Sequence, residues 1–284
     1  MVPSYIILAL VSMVLIGLYD FIYSRAVRKG ISPGTMTFSQ ACFFCPAVSL
    51  WAYLDGSYVW TLWTLLGPVA ALLLFLGIWA FMQSVKLGEA SVSLPIYRIN
   101  FVVTAFIAVI FLGEAITLRK VLGLSLAVAS IIILARAGPG KQSSFGRGKS
   151  ILWALIAMGS MGLLNIVYKL AVSGGVAPPM VLHSQAIFFI TISFLYARIG
   201  EGGLRCSRSS WSYALMAAIC LVLGLMSLVA ALEDGEASAV TPIAQLSFVV
   251  SMFMATLWLG ERFTKQKVVG LLLAVATVAA FLPG

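Results

Sequence analysis

Apolar residues in this chain occur in ten runs of about twenty residues, and short polar segments separate the runs. A bilayer core about 30 Å thick needs roughly 20 apolar residues per helix, so each run is long enough to cross it. We therefore predict an all-α integral membrane protein with ten transmembrane helices. The predicted spans are 3–24, 34–54, 63–86, 90–112, 118–137, 150–172, 178–197, 211–232, 237–259 and 265–282.

The composition supports this prediction. Hydrophobic residues make up 62% of the 284 residues and charged residues only 10%, with a mean hydropathy of +1.08. A soluble domain carries about 25% charged residues, so this chain cannot cover a water-facing surface. The alternation of apolar and polar residues that a membrane β-barrel needs is absent from the sequence. Both observations favour a helical membrane protein.

The chain also contains an internal repeat, which constrains the architecture before any local pattern does. Residues 88–135 align without a gap to residues 235–282 at a shift of 147, and about half of the aligned positions are identical. A weaker repeat, at a shift of 145, aligns the earlier helices. Each half then has five helices, an odd number, so we predict inverted-topology repeats of the kind common in secondary transporters. The predicted halves are 1–137 and 150–284, joined by a linker at 138–149.

Lysine and arginine fall mainly on one side of this predicted topology. Fourteen lie in loops on that side and three on the other, with Arg98 alone inside a helix. The positive-inside rule places the richer side in the cytoplasm. We therefore expect a multi-pass protein of the cell (plasma or inner) membrane, with both termini outside and the polar segment 136–149 inside. The loops also explain the net charge of +9, so nucleic acid is not expected as a partner.

The sequence shows no phosphate-binding P-loop, no cluster of metal ligands and no nucleophile beside a partnering base. Cys42 and Cys45 are spaced as a CxxC, but they lie one turn apart in an apolar run, where free cysteine is usually a small core residue. We therefore expect neither an enzyme nor an ATP-driven pump, and no cofactor or metal. A monomer and a homodimer both stay open.

Arg98 is the first candidate for a functional residue, because an arginine near the middle of a bilayer is costly and needs a partner. Its guanidinium could bind a substrate carboxylate or phosphate in a bidentate manner. Alternatively, it forms a structural ion pair or caps carbonyl groups freed around Pro95. Asp20, near the cytoplasmic end of helix one, is the candidate partner, and the pair could form an inner gate. The alternative for Asp20 is a carboxylate at the headgroup boundary, neutralised by Arg25.

Other polar residues could line a substrate path. Tyr97 and Asn100 lie on one face of helix four, and Gln245 occupies the position in helix nine that corresponds to Arg98. Gln40 and Gln185 hold equivalent places in helices two and seven, which suits a shared cavity wall. Polar groups at such positions are alternatively used for close helix packing.

Asn165 corresponds to Asp20 in the second half and is a further candidate. The aromatic candidates for substrate contact include Tyr23, Trp79 and Tyr168. If such rings converge, they would favour a quaternary ammonium through cation–π attraction. His183, the sole histidine, could sense pH, although a hydrogen-bonded histidine at the membrane interface is the simpler interpretation.

Three motifs occur twice, in the same order and at equal spacing. They are GEAS-x(3)-PI from Gly88 and Gly235, LGE at Leu112 and Leu259, and KV-x-G-L from Lys120 and Lys267. This arrangement resembles the drug/metabolite transporter superfamily, specifically its ten-helix members with two EamA-type domains, and the resemblance covers nearly the whole chain. It implies alternating-access transport of small polar or amphipathic solutes through a central cavity between the halves. Many relatives look like exporters.

We therefore expect a secondary transporter of a small metabolite, with export of amino acids or related zwitterions as the leading hypothesis. Its expected partners are that small molecule and the lipid bilayer, and protons are one candidate coupling ion. A carrier of organic cations, quaternary amines or drugs, using an aromatic cage, is the alternative. A flippase for a lipid-linked sugar and a membrane scaffold without transport activity are further alternatives.

Overall fold

A computed structural model of the protein describes residues 3–87, 93, 96–136, 147–259 and 265–281, and in these residues the regular structure is helical. The Gly88–Ser91 copy of the GEAS motif, Pro95, Glu261 and residues 137–146 lie outside that range. The helices are α1 (Ser4–Arg28), α2 (Pro33–Leu54), α3 (Leu66–Leu87), α4 (Asn100–Phe111), α5 (Leu118–Arg136), α6 (Arg147–Ser173), α7 (Pro178–Leu195), α8 (Arg208–Asp234), α9a (Ala237–Gln245), α9b (Ser247–Leu259) and α10 (Lys265–Phe281).

Five stretches are long and apolar enough to cross a membrane: Ser4–Tyr23, Leu62–Ser84, Gly148–Ser173, Pro178–Gly200 and Arg208–Asp234. Three shorter apolar helices add to them, at Ile96–Phe111, Ala237–Ser251 and Val268–Phe281. Successive helices run in opposite directions through the bundle. We call the end of the bundle where α5 ends and α6 begins the linker face, and the opposite end, where α1 begins, the termini face.

Several helices begin directly after a residue whose side chain accepts a hydrogen bond from a free amide of the first turn. Ser32 precedes α2, and its Oγ accepts a hydrogen bond from Thr35 N at 3.4 Å. Ser207 and Ser210 form a reciprocal capping box at the start of α8. Thr117 precedes α5, and its Oγ1 accepts a hydrogen bond from Lys120 N at 3.3 Å. Thr264, its equivalent at the shift of 147, lies outside the described residues.

The predicted spans 90–112 and 237–259 are not continuous helices. The structure interrupts the first at Ile99 and the second at Leu246, two positions separated by the repeat shift of 147. A tighter i→i−3 bond is present at both breaks, from Ile99 N to Ile96 O and from Leu246 N to Ile243 O. Pro242, which has no N–H to donate, weakens the helical ladder one turn before the second break.

The halves pack against each other at these breaks. α1 of the first half lies on α9 of the second, and α6 of the second half lies on α4 of the first. A Cβ on Gly17 would stand 2.4 Å from Ser247 O, and a Cβ on Gly162 would stand 2.8 Å from Asn100 O. Gly17 and Gly162 are equivalent at the shift of 145, and Ser247 and Asn100 are equivalent at 147. The two contacts are therefore copies related by internal two-fold pseudosymmetry.

Glu114, the acidic residue of the first LGE motif, caps the N-terminus of α9a, which begins within the second GEAS motif. Glu114, in the first LGE, accepts hydrogen bonds from Ala237 N at 2.7 Å, from Ser238 N at 3.1 Å and from the Ser238 hydroxyl. Lys120 lies beside it, 2.5 Å from Glu236 and 3.9 Å from Glu114. A carboxylate at a helix N-terminus is favoured by both the free amides and the helix dipole. The contact joins the two halves at the termini face.

Replacing Glu114 with Ala should lower the thermal stability of the purified protein by about 1–2 kcal/mol, because α9a loses its cap. The matched control is Glu236→Ala, which removes a half-exposed partner from the same buried lysine and should cost at most about 1 kcal/mol, because Lys120 keeps Ala115 O and Glu114 as neighbours. Melting curves in one detergent measure both. Equal losses for the two variants would show that the cap is not the stabilising contact.

Candidate functional site

Arg98 and Asp20 form an ion pair inside the helix bundle. Arg98 Nη2 donates to Asp20 Oδ2 at 2.5 Å, and the two side chains are 12% and 22% exposed. Arg98 Nη1 donates to Ser247 Oγ at 3.2 Å, while its Nε is buried without a hydrogen-bond partner. The arginine therefore joins helix one of its own half to α9b of the other half, and one donor of its guanidinium stays free.

Arg98 owes this position to the break in the helix. It is the last residue of the helical turn 96–98, directly before Ile99. Gln245 has the same place before Leu246, and its side chain is partly buried. The interpretation of Asp20 as a headgroup-level carboxylate neutralised by Arg25 does not describe the observed ion pair, which is with Arg98.

The equivalent place in the other half carries no charge. Asn165, the counterpart of Asp20, lies 3.5 Å from Asn100 Oδ1 and 3.3 Å from Thr104 Oγ1 through its Nδ2. Asn100 in turn donates to Tyr97 O at 3.0 Å, and Thr104 donates to Gly162 O at 3.1 Å. Asn100 and Asn165 are thus buried in a packing contact between α4 and α6. The positions equivalent to Asp20 and Arg98 in the second half, Asn165 and Gln245, therefore hold no ion pair.

Gln40 and Gln185 line a small cavity on the internal two-fold. The lining pairs up under the repeat, since Gln40, Ala41 and Phe44 correspond to Gln185, Ala186 and Phe189, and Leu74 corresponds to Leu221. The cavity is small, with room for about one water molecule and an almost wholly apolar lining. Both glutamines lie in the wall of this cavity, with mostly apolar residues around them.

The two glutamines have different partners. Gln185 Oε1 accepts a hydrogen bond from Tyr168 at 2.6 Å. Gln40 Oε1 is buried without a partner. The hydroxyl of Tyr23, the counterpart of Tyr168, lies 3.2 Å from both Thr37 Oγ1 and Pro33 O. Thr37 did not stand out in the sequence, although its one-turn spacing from Gln40 and its mismatch with Leu182 in the repeat were available signals.

The aromatic candidates lie in three different environments. Tyr23 packs against Tyr19, with ring centroids 5.8 Å apart. Tyr168 contacts Gln185, and Trp79 packs edge-on against Trp153 at 5.0 Å. No ring contact among the described residues joins Trp79 to either tyrosine. An aromatic cage built from these three residues is therefore not formed in this structure.

His183 lies near the termini face, as the sequence suggested. Its Nδ1 is 2.8 Å from Ser49 Oγ, and the rings of Tyr58 and Trp60 lie 4.9 and 6.0 Å from its own. This matches the interpretation as a hydrogen-bonded histidine. In the part of the chain that the structure describes, no group of three or more His, Cys, Asp or Glu residues could hold a metal ion.

The ion pair predicts a thermodynamic coupling. Asp20→Asn or Arg98→Gln alone should destabilise the protein by about 3 kcal/mol, because each leaves a buried charge without its partner. The double variant gives the first half the same two amides that Asn165 and Gln245 provide in the second half. It should recover most of the lost stability. Melting temperatures of the four proteins measure the coupling. Additive losses in the double variant would contradict it.

The fold recurs among solved structures, of which 29 chains match. One, described only as "Crystal structure of protein", superposes with a TM-score of 0.83 over 98% of this chain and 98% of its own, at 12% sequence identity. At that identity the likeness concerns the fold alone. None of the curated proteins compared with the chain matches it.

Each half of the chain also matches the model of one protein family. The model of the EamA-like transporter family matches residues 3–136 and matches again at residues 148–282. These two matches cover nearly all of the chain, one in each half, as the internal repeat requires. The protein belongs to the EamA-like transporter family, as a multi-pass membrane protein of the drug/metabolite transporter type.

Proposed function

We propose that this protein is a secondary transporter that carries a small zwitterionic metabolite, such as an amino acid, across the cell membrane by alternating access. Membership of a transporter family supports the general class. Two inverted halves that meet at interrupted helices support the mechanism, because such halves can exchange conformations around a site between them. The observation that carries the substrate proposal is the ion pair of Arg98 and Asp20.

A zwitterion suits this pair for an electrostatic reason. In a medium of low dielectric constant, a substrate that separated the pair would have to replace the partner of each charge. The carboxylate of an amino acid can bind Arg98 while its ammonium binds Asp20, so both charges remain paired. An anion alone would leave Asp20 without a counter-charge, and a cation alone would leave Arg98 in the same condition.

Export is the proposed direction, and it requires a state in which the site can be reached from the cytoplasm. Around the ion pair, Tyr19, Asp20 and Tyr97 are partly exposed, whereas their counterparts Leu164, Asn165 and Ala244 are buried. The site is thus more open toward the linker face. The fourteen basic residues on that side favour a cytoplasmic location by the positive-inside rule, so in the proposed orientation this state is one that substrate can reach from inside the cell.

Binding of an amino acid should raise the melting temperature of the purified protein, and Arg98→Gln should remove this shift. Loss of a charge-assisted contact of about 1.5–3 kcal/mol corresponds to roughly 10- to 100-fold weaker binding. A thermal-shift screen with zwitterionic amino acids, simple carboxylates and quaternary amines measures this rise in melting temperature for each variant. Replacement of the exposed Arg205 with Gln is the charge-matched control. Stabilisation by quaternary amines, unaffected by Arg98→Gln, would favour an organic-cation carrier instead.

The proposed orientation can be tested with thiol labelling. Cys206 is exposed in the segment between α7 and α8, at the linker face. A membrane-impermeant maleimide added to intact cells should therefore label it only after permeabilisation. An Asp55→Cys variant with Cys206→Ser, exposed at the termini face, should be labelled in intact cells. The reverse pattern would invert the topology and with it the proposed direction of transport.

A further inference from the structure

The internal two-fold relates two tyrosine–glutamine pairs, and only one of them is joined. Tyr168 on α6 donates to Gln185 on α7 at 2.6 Å. The equivalent pair is Tyr23 on α1 and Gln40 on α2, at the same shift of 145. There the tyrosine hydroxyl lies against Thr37 Oγ1, and Gln40 Oε1 is buried without a partner.

The residues around the bonded tyrosine are also more deeply buried than those around the unbonded one. Tyr168 is 1% exposed, and Leu182 beside it is fully buried. Their counterparts Tyr23 and Thr37 are both partly exposed. The termini-face end of the second half is therefore closed around its tyrosine–glutamine bond. The linker-face end of the first half, with its equivalent bond unmade, is more open.

A small displacement would make the missing bond. Thr37 and Gln40 lie three residues apart on α2, so their side chains share one face of the helix. Three residues correspond to about 4.5 Å along the axis. Movement of the Tyr23 hydroxyl along α2 by about that distance would bring it from the level of Thr37 to the level of Gln40. Displacements of about one helical turn between two packed elements are a known type of switching transition.

The unpaired acceptor gives this movement a driving force. A buried oxygen without a hydrogen-bond partner has lost water and gained nothing in return. Thr37 offers Tyr23 a second partner in the present state, whereas the equivalent Leu182 offers Tyr168 none. The first half thus has two positions for its tyrosine, one of them now occupied.

We propose that Tyr168–Gln185 and Tyr23–Gln40 are the two latches of the transport cycle, closed one at a time on opposite faces. The present structure has the latch closed at the termini face and open at the linker face. In the opposite state, Tyr23 donates to Gln40, and Tyr168 leaves Gln185. The inference rests on the proposed alternating access, but it concerns the conformational exchange and needs no particular substrate.

Hydrogen–deuterium exchange of the full chain in nanodiscs tests the exchange of latches. Tyr168→Phe should increase amide exchange at the adjoining ends of α6 and α7. Because it shifts the population toward the opposite state, it should also slow exchange at the linker-face ends of α1 and α2. We expect changes of roughly three- to tenfold, since one hydrogen bond is lost. A merely structural bond would loosen α6 and α7 without protecting the other face, and that result would overturn the proposal.

Gln40→Leu provides the matched second variant. Combined with Tyr168→Phe, it removes both latches, so the protection at α1 and α2 should disappear while the loosening of α6 and α7 remains. Protection that persisted in the double variant would also overturn the proposal. Failure of amino acids to bind would instead refute only the proposed substrate, because these exchange measurements are made without ligand.

Discussion

Among the contacts that join the two halves of this protein, the first helix of each half packs against the interrupted helix of the other. Gly17 and Gly162 allow this contact, because any side chain there would overlap Ser247 or Asn100. Interior packing is dense and tolerates little added volume, so the two glycines set how closely the halves approach. The breaks and the residues beside them lie at this contact.

The breaks determine where charge can be placed in an otherwise apolar bundle. Arg98 lies directly before one break, where it reaches Asp20 in its own half and Ser247 in the other. The corresponding residues at the second break, Gln245 and Asn165, are neutral. The helix packing at the two breaks is thus symmetric, whereas the ion pair of Arg98 and Asp20 has no equivalent at the second break. Such asymmetry gives a transporter different properties at its two faces.

The cavity at the centre of the bundle also has symmetric positions with different hydrogen bonds. Gln40 and Gln185 face one cavity from equivalent positions, yet only Gln185 has its oxygen bonded, by Tyr168. Symmetric sequence supplies two possible arrangements, and a single conformation satisfies one of them at a time. Because an unpaired buried acceptor is unfavourable, the two arrangements compete, and a modest differential interaction with a substrate could decide between them.

The sequence by itself determined the helical membrane class, the two halves and the candidate pair Asp20 and Arg98, because lipid demands apolar runs and makes a buried charge conspicuous. It also indicated the shared wall of Gln40 and Gln185, since their equivalence follows from the repeat. Only the tertiary structure decided that the fourth and ninth helices break at Ile99 and Leu246, and that Ser247 and Thr37 are the partners of Arg98 and Tyr23. Hydrophobic pattern reports which residues avoid water, whereas hydrogen-bond partners depend on distances between helices that are far apart in the chain.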